Sequence, residues 1–186
     1  LAAIANFEAT GAVLADFDGN DAVYAIDSVK TPAFNANQIL TDGPTGSYLH
    51  LLDGGEGDAG NYISFDSVTP TNGWTAASFK MDFRTDLVAA DGFSVAFLDS
   101  EIHGKTGVVR AGSTGLDSIE ERGFYTNSIG VGFRTFNGTN ATVNYGGQQQ
   151  SDDSQYVLPD AGTWGSMEIT MDRDANNTVS IEAVVY

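Results

Sequence analysis

The chain has 186 residues, a length that one all-β domain often reaches and enough to bury roughly 70% of the surface its unfolded form exposes. Its 25 acidic against 8 basic residues, net charge −17, offer no positive footprint, which argues against nucleic acid and anionic membranes as partners. The absence of cysteine removes disulfides and thiolate metal sites, and nothing approaches the run of about 18 apolar residues that a membrane span needs. An acidic, Gly-rich, Lys-poor surface suits a salty or calcium-rich extracellular setting, where cations screen self-repulsion. Because the chain opens on Leu1 without a methionine and stops inside the apolar run IEAVVY, it reads as a single domain, 1–186, processed or excised from a longer protein.

Along the chain, the first feature is DFDGND, where Asp16, Asp18, Asn20 and Asp21 gather oxygen ligands around a glycine. The cluster is a candidate calcium loop, although it lacks the Asp-x-Asp-x-Asp-Gly order of an EF-hand, and its alternative reading is a plain turn. TGSYLHLLD and NYISFDS read as short strands, with His50 a structural residue of the first. DGGEGDAG between them brings Asp53, Glu56 and Asp58 into another turn-like acidic cluster. ASFKMDFR then puts Phe79, Met81 and Phe83 on one face and Ser78, Lys80, Asp82 and Arg84 on the other, and GFSVAFLD repeats the two-residue period. SEIHGKTG places His103 in a loop, and STGLDSIEERG, 113–123, has room for one helical turn. SIGVGFRTF is again a strand, the polar GGQQQSDDSQ reads as a solvated loop, and SMEITMD and TVSIEAVVY flank the turn cluster DRDANN. About ten to twelve strands without an internal repeat predict a β-sandwich or jelly roll.

Arg134 is the oddity of this pattern. Ile129, Val131 and Phe133 alternate as a strand burying one face should, while Gly130, Gly132 and Arg134 share the other. With Asn137–Asn140 as the loop, the hairpin pairs Phe136 with Ala141, Arg134 with Val143 and Gly132 with Tyr145, whose ring then covers the glycine gap.

Three segments, in order, resemble the legume-type (L-type) lectins of the concanavalin A-like jelly rolls. Ala90-Asp91-Gly92 before the strand Phe93–Phe97 is similar to the family's A-D-G, and Val131-Gly132-Phe133-Arg134-Thr135-Phe136-Asn137 is similar to its V-E-F-D-T-aromatic strand. Trp164 to Tyr186 is similar to its closing hairpin, and TAASFKMDFRT to the strand before A-D-G. The likeness spans roughly residues 74–186. It implies two packed antiparallel sheets with sugar held by loops over the concave face, where Asp91 would accept hydrogen bonds from sugar hydroxyls. Gly92, Tyr125, Arg134, Phe136 and Asn137 are the further ligand-binding candidates.

The chain departs from the family at its metal pair, which needs the Glu and Asp of V-E-F-D and a following Asn. The matching positions are Gly132, Arg134 and Gly138. Hard cations need several oxygens in one small volume, so the pair is expected to be absent. Arg134 is expected to take over the charge role by pairing with a carboxylate such as Asp91, or else to lie over aromatic surface with its head in water. A structural calcium elsewhere, with Asp16, Asp18 and Asp21 as ligands, stays open.

No strand carries the E-x-D-x-x-E of glycosidases on this fold, and Glu120-Glu121 would diverge on a strand. His103 belongs to no complete lyase set, because Glu101 stands where a glutamine belongs, and two histidines without cysteine support neither a zinc site nor a Ser-His-Asp triad. Trp74 and Trp164 open predicted strands and read as packing. The expected function is non-catalytic carbohydrate binding by an extracellular or cell-surface module of a bacterial protein, with a glycan as partner. The alternatives are an adhesive or structural module that self-associates or packs on neighbouring domains, and a polysaccharide-active enzyme.

Overall fold

The computed structural model describes residues 2–7, 11–15, 24–28, 38–44, 46–50, 61–65, 75–85, 92–99, 102, 127–134, 140–153 and 158–186. Thirteen strands lie among them: β1 (Ala2–Phe7), β2 (Gly11–Ala15), β3 (Tyr24–Ser28), β4 (Gln38–Gly43), β5 (Gly46–His50), β6 (Asn61–Phe65) and β7 (Ala76–Arg84), then β8 (Gly92–Phe97), β9 (Ile129–Arg134), β10 (Asn140–Tyr145), β11 (Gln148–Asp153), β12 (Trp164–Arg173) and β13 (Val179–Val185). They form a five-stranded sheet in the order β13-β12-β7-β1-β2, a four-stranded sheet in the order β11-β10-β9-β8, and the pairs β3-β6 and β4-β5. Every pairing is antiparallel. The all-β expectation therefore holds among the described residues.

Alternation explains the centre of the five-stranded sheet. Met81 and Phe83 of β7 are buried while Lys80 beside them is exposed, and Met167, Ile169 and Met171 of β12 are buried on the same face. Register stacks these residues, with Met81 opposite Met167 and Phe79 opposite Ile169. On the outward face, Lys80 and Glu168 are direct partners and form an ion pair at 3.0 Å. At that exposure the pair contributes only about 0.2–1 kcal/mol.

The four-stranded sheet presents Phe93, Val95 and Phe97 of β8 directly opposite Phe133, Val131 and Ile129 of β9. Aromatic contacts join the two sheets. Phe83 of β7 meets Phe93 of β8 at 5.5 Å between centroids, and Phe79 meets Phe97 edge-on at 6.4 Å. Phe93 in turn stacks on Phe133 at 5.0 Å. Met81, Phe83, Val131, Phe133, Met167 and Ile169 thus form one buried cluster drawn from both sheets. Each fully buried side chain of this size stabilises the fold by about 1.5–3 kcal/mol, so the apposed faces are the principal cohesive element.

Two sequence expectations need correction. The β9–β10 hairpin pairs Arg134 with Asn140, Phe133 with Ala141, Gly132 with Thr142 and Ile129 with Tyr145. The expected register is out by three residues, so each side chain of β10 changes face. Burial decides the register: it brings Ala141 and Val143 onto the same face as Phe133 and Val131. Tyr145 stands 59% exposed opposite Ile129 and does not cover Gly132.

The second correction concerns GGQQQSDDSQ. Gly146 and Gly147, at φ 58° and 80°, make a two-residue turn, and Gln148–Asp153 is the edge strand β11. Two consecutive positive φ values match the twist of a hairpin, and glycine adopts them without steric cost. A polar strand is viable there because it lies at the sheet edge, with Gln148 to Ser151 exposed. The 113–123 segment lies outside the described residues.

Candidate functional site

The four-stranded sheet has a second face, opposite its core face, and its chemistry differs. Cross-strand register places Gly92, Ser94 and Ala96 of β8 beside Arg134, Gly132 and Gly130 of β9. On the other side of β9 stand Asn140, Thr142 and Asn144. The centre of this polar, small-residue face is closed to solvent: Gly130 and Gly132 are buried, Thr142 is 8% exposed and Asn144 is 0% exposed. Asn144 Nδ2 donates to Thr142 Oγ1 at 3.1 Å, which supplies part of the hydrogen bonding that buried polar groups require.

The face reaches the surface at its Arg134 end. Arg134 closes β9, is half-buried and stands directly opposite Gly92, the first residue of β8. Gly92 has φ 147°, in the region that L side chains rarely adopt, so the strand enters the sheet through a conformation that favours glycine. Gly132, two residues back on the same face, also lacks a side chain. The Arg134 guanidinium therefore has no side chain beside it from its β8 partner or from Gly132. Its Nε is shut off from solvent and has no hydrogen-bond partner.

The structure thus brings Gly92 and Arg134 together as cross-strand neighbours. Of the other expected ligand-binding residues, Asp91 precedes Gly92, and Phe136 and Asn137 fall in the 135–139 connection. Asp91, Tyr125, Phe136 and Asn137 lie outside the described residues, as do Asp16, Asp18 and Asp21, and likewise Asp53, Glu56, Asp58, Trp74, His103 and Glu120-Glu121. His50 ends β5 half-buried, opposite Gln38. Sequence reasoning misses Thr142 and Asn144 as members of the polar face. The alternation of NATVNY holds the signal: matching its apolar Ala141 and Val143 to Phe133 and Val131 assigns Thr142 and Asn144 to the Arg134 side.

Among the described residues, no group of three or more His, Asp or Glu side chains is placed to hold a metal ion. DRDANN shows why one acidic cluster is a turn. Asp172 is an exposed residue of β12, whereas Asp174 Oδ1 accepts the backbone N–H groups of Asn176 and Thr178, both at 2.8 Å. The Thr178 bond first, with those from Asn176 adding to it, holds the Asp174 carboxyl below the ordinary carboxylate range against the opposing effect of desolvation.

A second feature lies at the same end of the two sheets. Trp164, which opens β12, stands opposite Arg84, and Arg84 follows the Phe83 that meets Phe93. Trp164 packs edge-on against Tyr48 at 5.3 Å, and the Arg84 guanidinium lies 5.5 Å from the Trp164 ring and 5.9 Å from Tyr48. These contacts agree with Trp164 as a packing residue. Beside it is an open hollow of about 310 Å³, lined by Pro159, Asp160, Thr163, Trp164 and Tyr186 among others. Comparison of the chain with protein-family models, with characterised proteins and with solved structures gave no match.

Proposed function

We propose that the chain is a non-catalytic carbohydrate-binding module with a concanavalin A-like jelly-roll fold, acting outside the cell or at its surface. One observation carries this reading: Gly92 of the A-D-G segment and Arg134 of the V-G-F-R-T-F segment are direct cross-strand partners. Two stretches that resemble lectin motifs and lie about forty residues apart in sequence meet on neighbouring strands, at the accessible end of a polar face. The opposite face of the same sheet is committed to the core, which gives the binding end a rigid base.

In this reading Asp91 and Asn137 supply hydrogen-bond acceptors and donors to sugar hydroxyls, and Tyr125 and Phe136 supply apolar surface for a sugar ring. The legume-type metal pair has no place, because Gly132 and Arg134 stand where two carboxylates would be needed. Calcium, if used, has a structural role at Asp16, Asp18 and Asp21. The test is a glycan array spanning neutral and acidic polysaccharides, run with calcium and with chelator. Binding that persists in chelator is expected. Absence of binding across all classes in both conditions would overturn the reading and favour an adhesive or structural module. A melting temperature unchanged by millimolar calcium would remove the structural ion.

A further inference from the structure

Resting on the carbohydrate-binding reading, we infer that the hollow beside Trp164 is a further glycan subsite, which seats a neutral pyranose ring against Trp164 and Tyr186 and takes its hydroxyls on Asp160 and Thr163. The two aromatic walls follow from the closing hairpin. Tyr186 exchanges two backbone hydrogen bonds with Ser166, at 2.8 and 3.2 Å, so the two residues stand opposite each other. Alternation puts Trp164 on the face of Ser166, and therefore of Tyr186. Such diagonal neighbours lie about 7–8 Å apart, close enough for both rings to border one hollow, as they do. The hollow measures about 310 Å³, at the lower end of the roughly 300–1,000 Å³ of small-ligand sites. Tyr186 is 70% exposed, and Asp160 and Thr163 are exposed as well, so ring and rim groups are open to a ligand.

The site is fixed before a ligand arrives. Trp164 is held edge-on by Tyr48 at 5.3 Å and by the Arg84 guanidinium at 5.5 Å. Asp160 to Thr163 form a turn closed by the Thr163 N–H, which donates to Asp160 O at 2.8 Å. Gly162 takes φ 79° at the third position, where a type II turn needs a positive value. Its N–H donates to Thr85 O at 2.8 Å and ties the turn to the residue after β7. Pro159, which also lines the hollow, packs on Gly165, where an added Cβ would collide with the proline ring. Groups held in this way by their neighbours lose little freedom on binding, which favours affinity.

The lining selects the class of ligand. The two rings and the proline offer apolar surface for the C–H groups of a pyranose, while Asp160 as an acceptor and Thr163 as donor and acceptor fit its hydroxyls. A carboxylate at the rim and a net charge of −17 disfavour an anion. A cation is disfavoured by Arg84, already seated against Trp164. A wholly apolar ligand would set its surface against the Asp160 carboxylate and give that group no hydrogen-bond partner.

The experiment titrates the whole 186-residue chain with neutral cello-, xylo-, manno- and galacto-oligosaccharides, read by calorimetry and by tryptophan emission. The chain has two tryptophans, so Trp74→Phe leaves Trp164 as the reporter. Wild type, Trp74→Phe, Tyr186→Ala and Asp160→Ala are compared, with a thermal melt of each. At least one neutral probe should bind and shift the Trp164 emission to the blue as the indole loses water. The same probe should bind about fivefold or more weakly to Tyr186→Ala and to Asp160→Ala, at unchanged melting temperatures. Should Trp74→Phe or Tyr186→Ala melt lower than wild type, the Asp160→Ala affinity decides. Neutral binding that leaves the Trp164 emission unchanged, or that both variants keep at wild-type affinity, would overturn the inference and leave the carbohydrate-binding reading intact. So would binding of acidic glycans alone on the array. No response to any probe by wild type, together with a blank array, would remove both.

Discussion

The hairpins β12–β13 and β9–β10 contribute to the same buried cluster from opposite sheets, yet they are fixed in different ways. In β12–β13 seven cross-strand pairs run from Arg173–Val179 to Met167–Val185, and the 174–178 connection is tied by a local network. Asp174 Oδ1 takes two backbone N–H groups, the Asp174 N–H donates to Thr178 O, and the Asn177 N–H donates to Asp174 O. Asn177 adopts φ 66°, which asparagine tolerates better than most residues. The register of this hairpin is therefore specified close to its turn. In β9–β10 the register follows from which side chains the core accepts: Val131, Phe133 and Ala141 pack inward, and Gly132, Arg134 and Thr142 are left to the other face. The first is specified at its turn, and the pairing of the second matches the core face of β9 to that of β10.

The largest effects should come from the shared core. Phe133→Ala in β9 and Ile169→Ala in β12 both empty fully buried positions of one cluster. Losses of about 3–5 kcal/mol for the phenylalanine and about 2–5 kcal/mol for the isoleucine are expected in urea unfolding, with an unchanged slope. Phe133→Ala should also weaken the hold on β8, because Phe133 stacks on Phe93. A loss below about 1 kcal/mol for either variant would break the picture of two sheets closing on one another.

A smaller effect tests the polar face of β9–β10 alone. Thr142→Val keeps the shape but removes the hydroxyl that accepts the Asn144 Nδ2 proton. Taking one acceptor from a buried amide costs about 1–3 kcal/mol. The same substitution at Thr170, half-buried on the outward side of β12, should change stability by less than about 0.5 kcal/mol. Equal losses at the two sites would mean that the centre of the polar face is no better sealed than the outer face of the other sheet.

The same contrast explains how much of the molecule is legible in its sequence. Phe79, Met81 and Phe83, and Met167, Ile169 and Met171, repeat at the two-residue period, and burial follows it in both strands. The pairing of β9 with β10 is easily misread because NGTN looks like a tight turn, whereas the connection is 135–139 and Asn140 already belongs to β10. The observed pairing keeps Ala141 and Val143 opposite Phe133 and Val131 on the core face. The edge strand β11 carries no apolar alternation, so only the Gly146-Gly147 pair signals it. The strands β1 and β2, in the Ala-rich N-terminal stretch, lack a clear pattern as well. The place of Arg134 on the face opposite the core can be read from parity. Its sealed Nε cannot, because solvent exclusion depends on tertiary packing.

The smallest effect concerns the turn that does set a register. Asp174→Ala removes the acceptor of the Asn176 and Thr178 N–H groups, so a modest fall in melting temperature is expected near neutral pH. The pH dependence separates charge from shape. The folded-state carboxyl titrates below its ordinary range, chiefly through the Thr178 bond, so its ionised form contributes stability that is present above the unfolded-state pKa of about 4 and is lost as pH falls through the folded value. The gap between wild type and Asp174→Ala should therefore be widest near neutrality and narrow as the solution is acidified below about pH 4. A gap of constant width would show that the turn is held by hydrogen-bond geometry without any contribution from charge. Thr142→Val in β10 removes an uncharged hydroxyl, so its stability difference from wild type should show no comparable acid-sensitive step and stay flat over the same range.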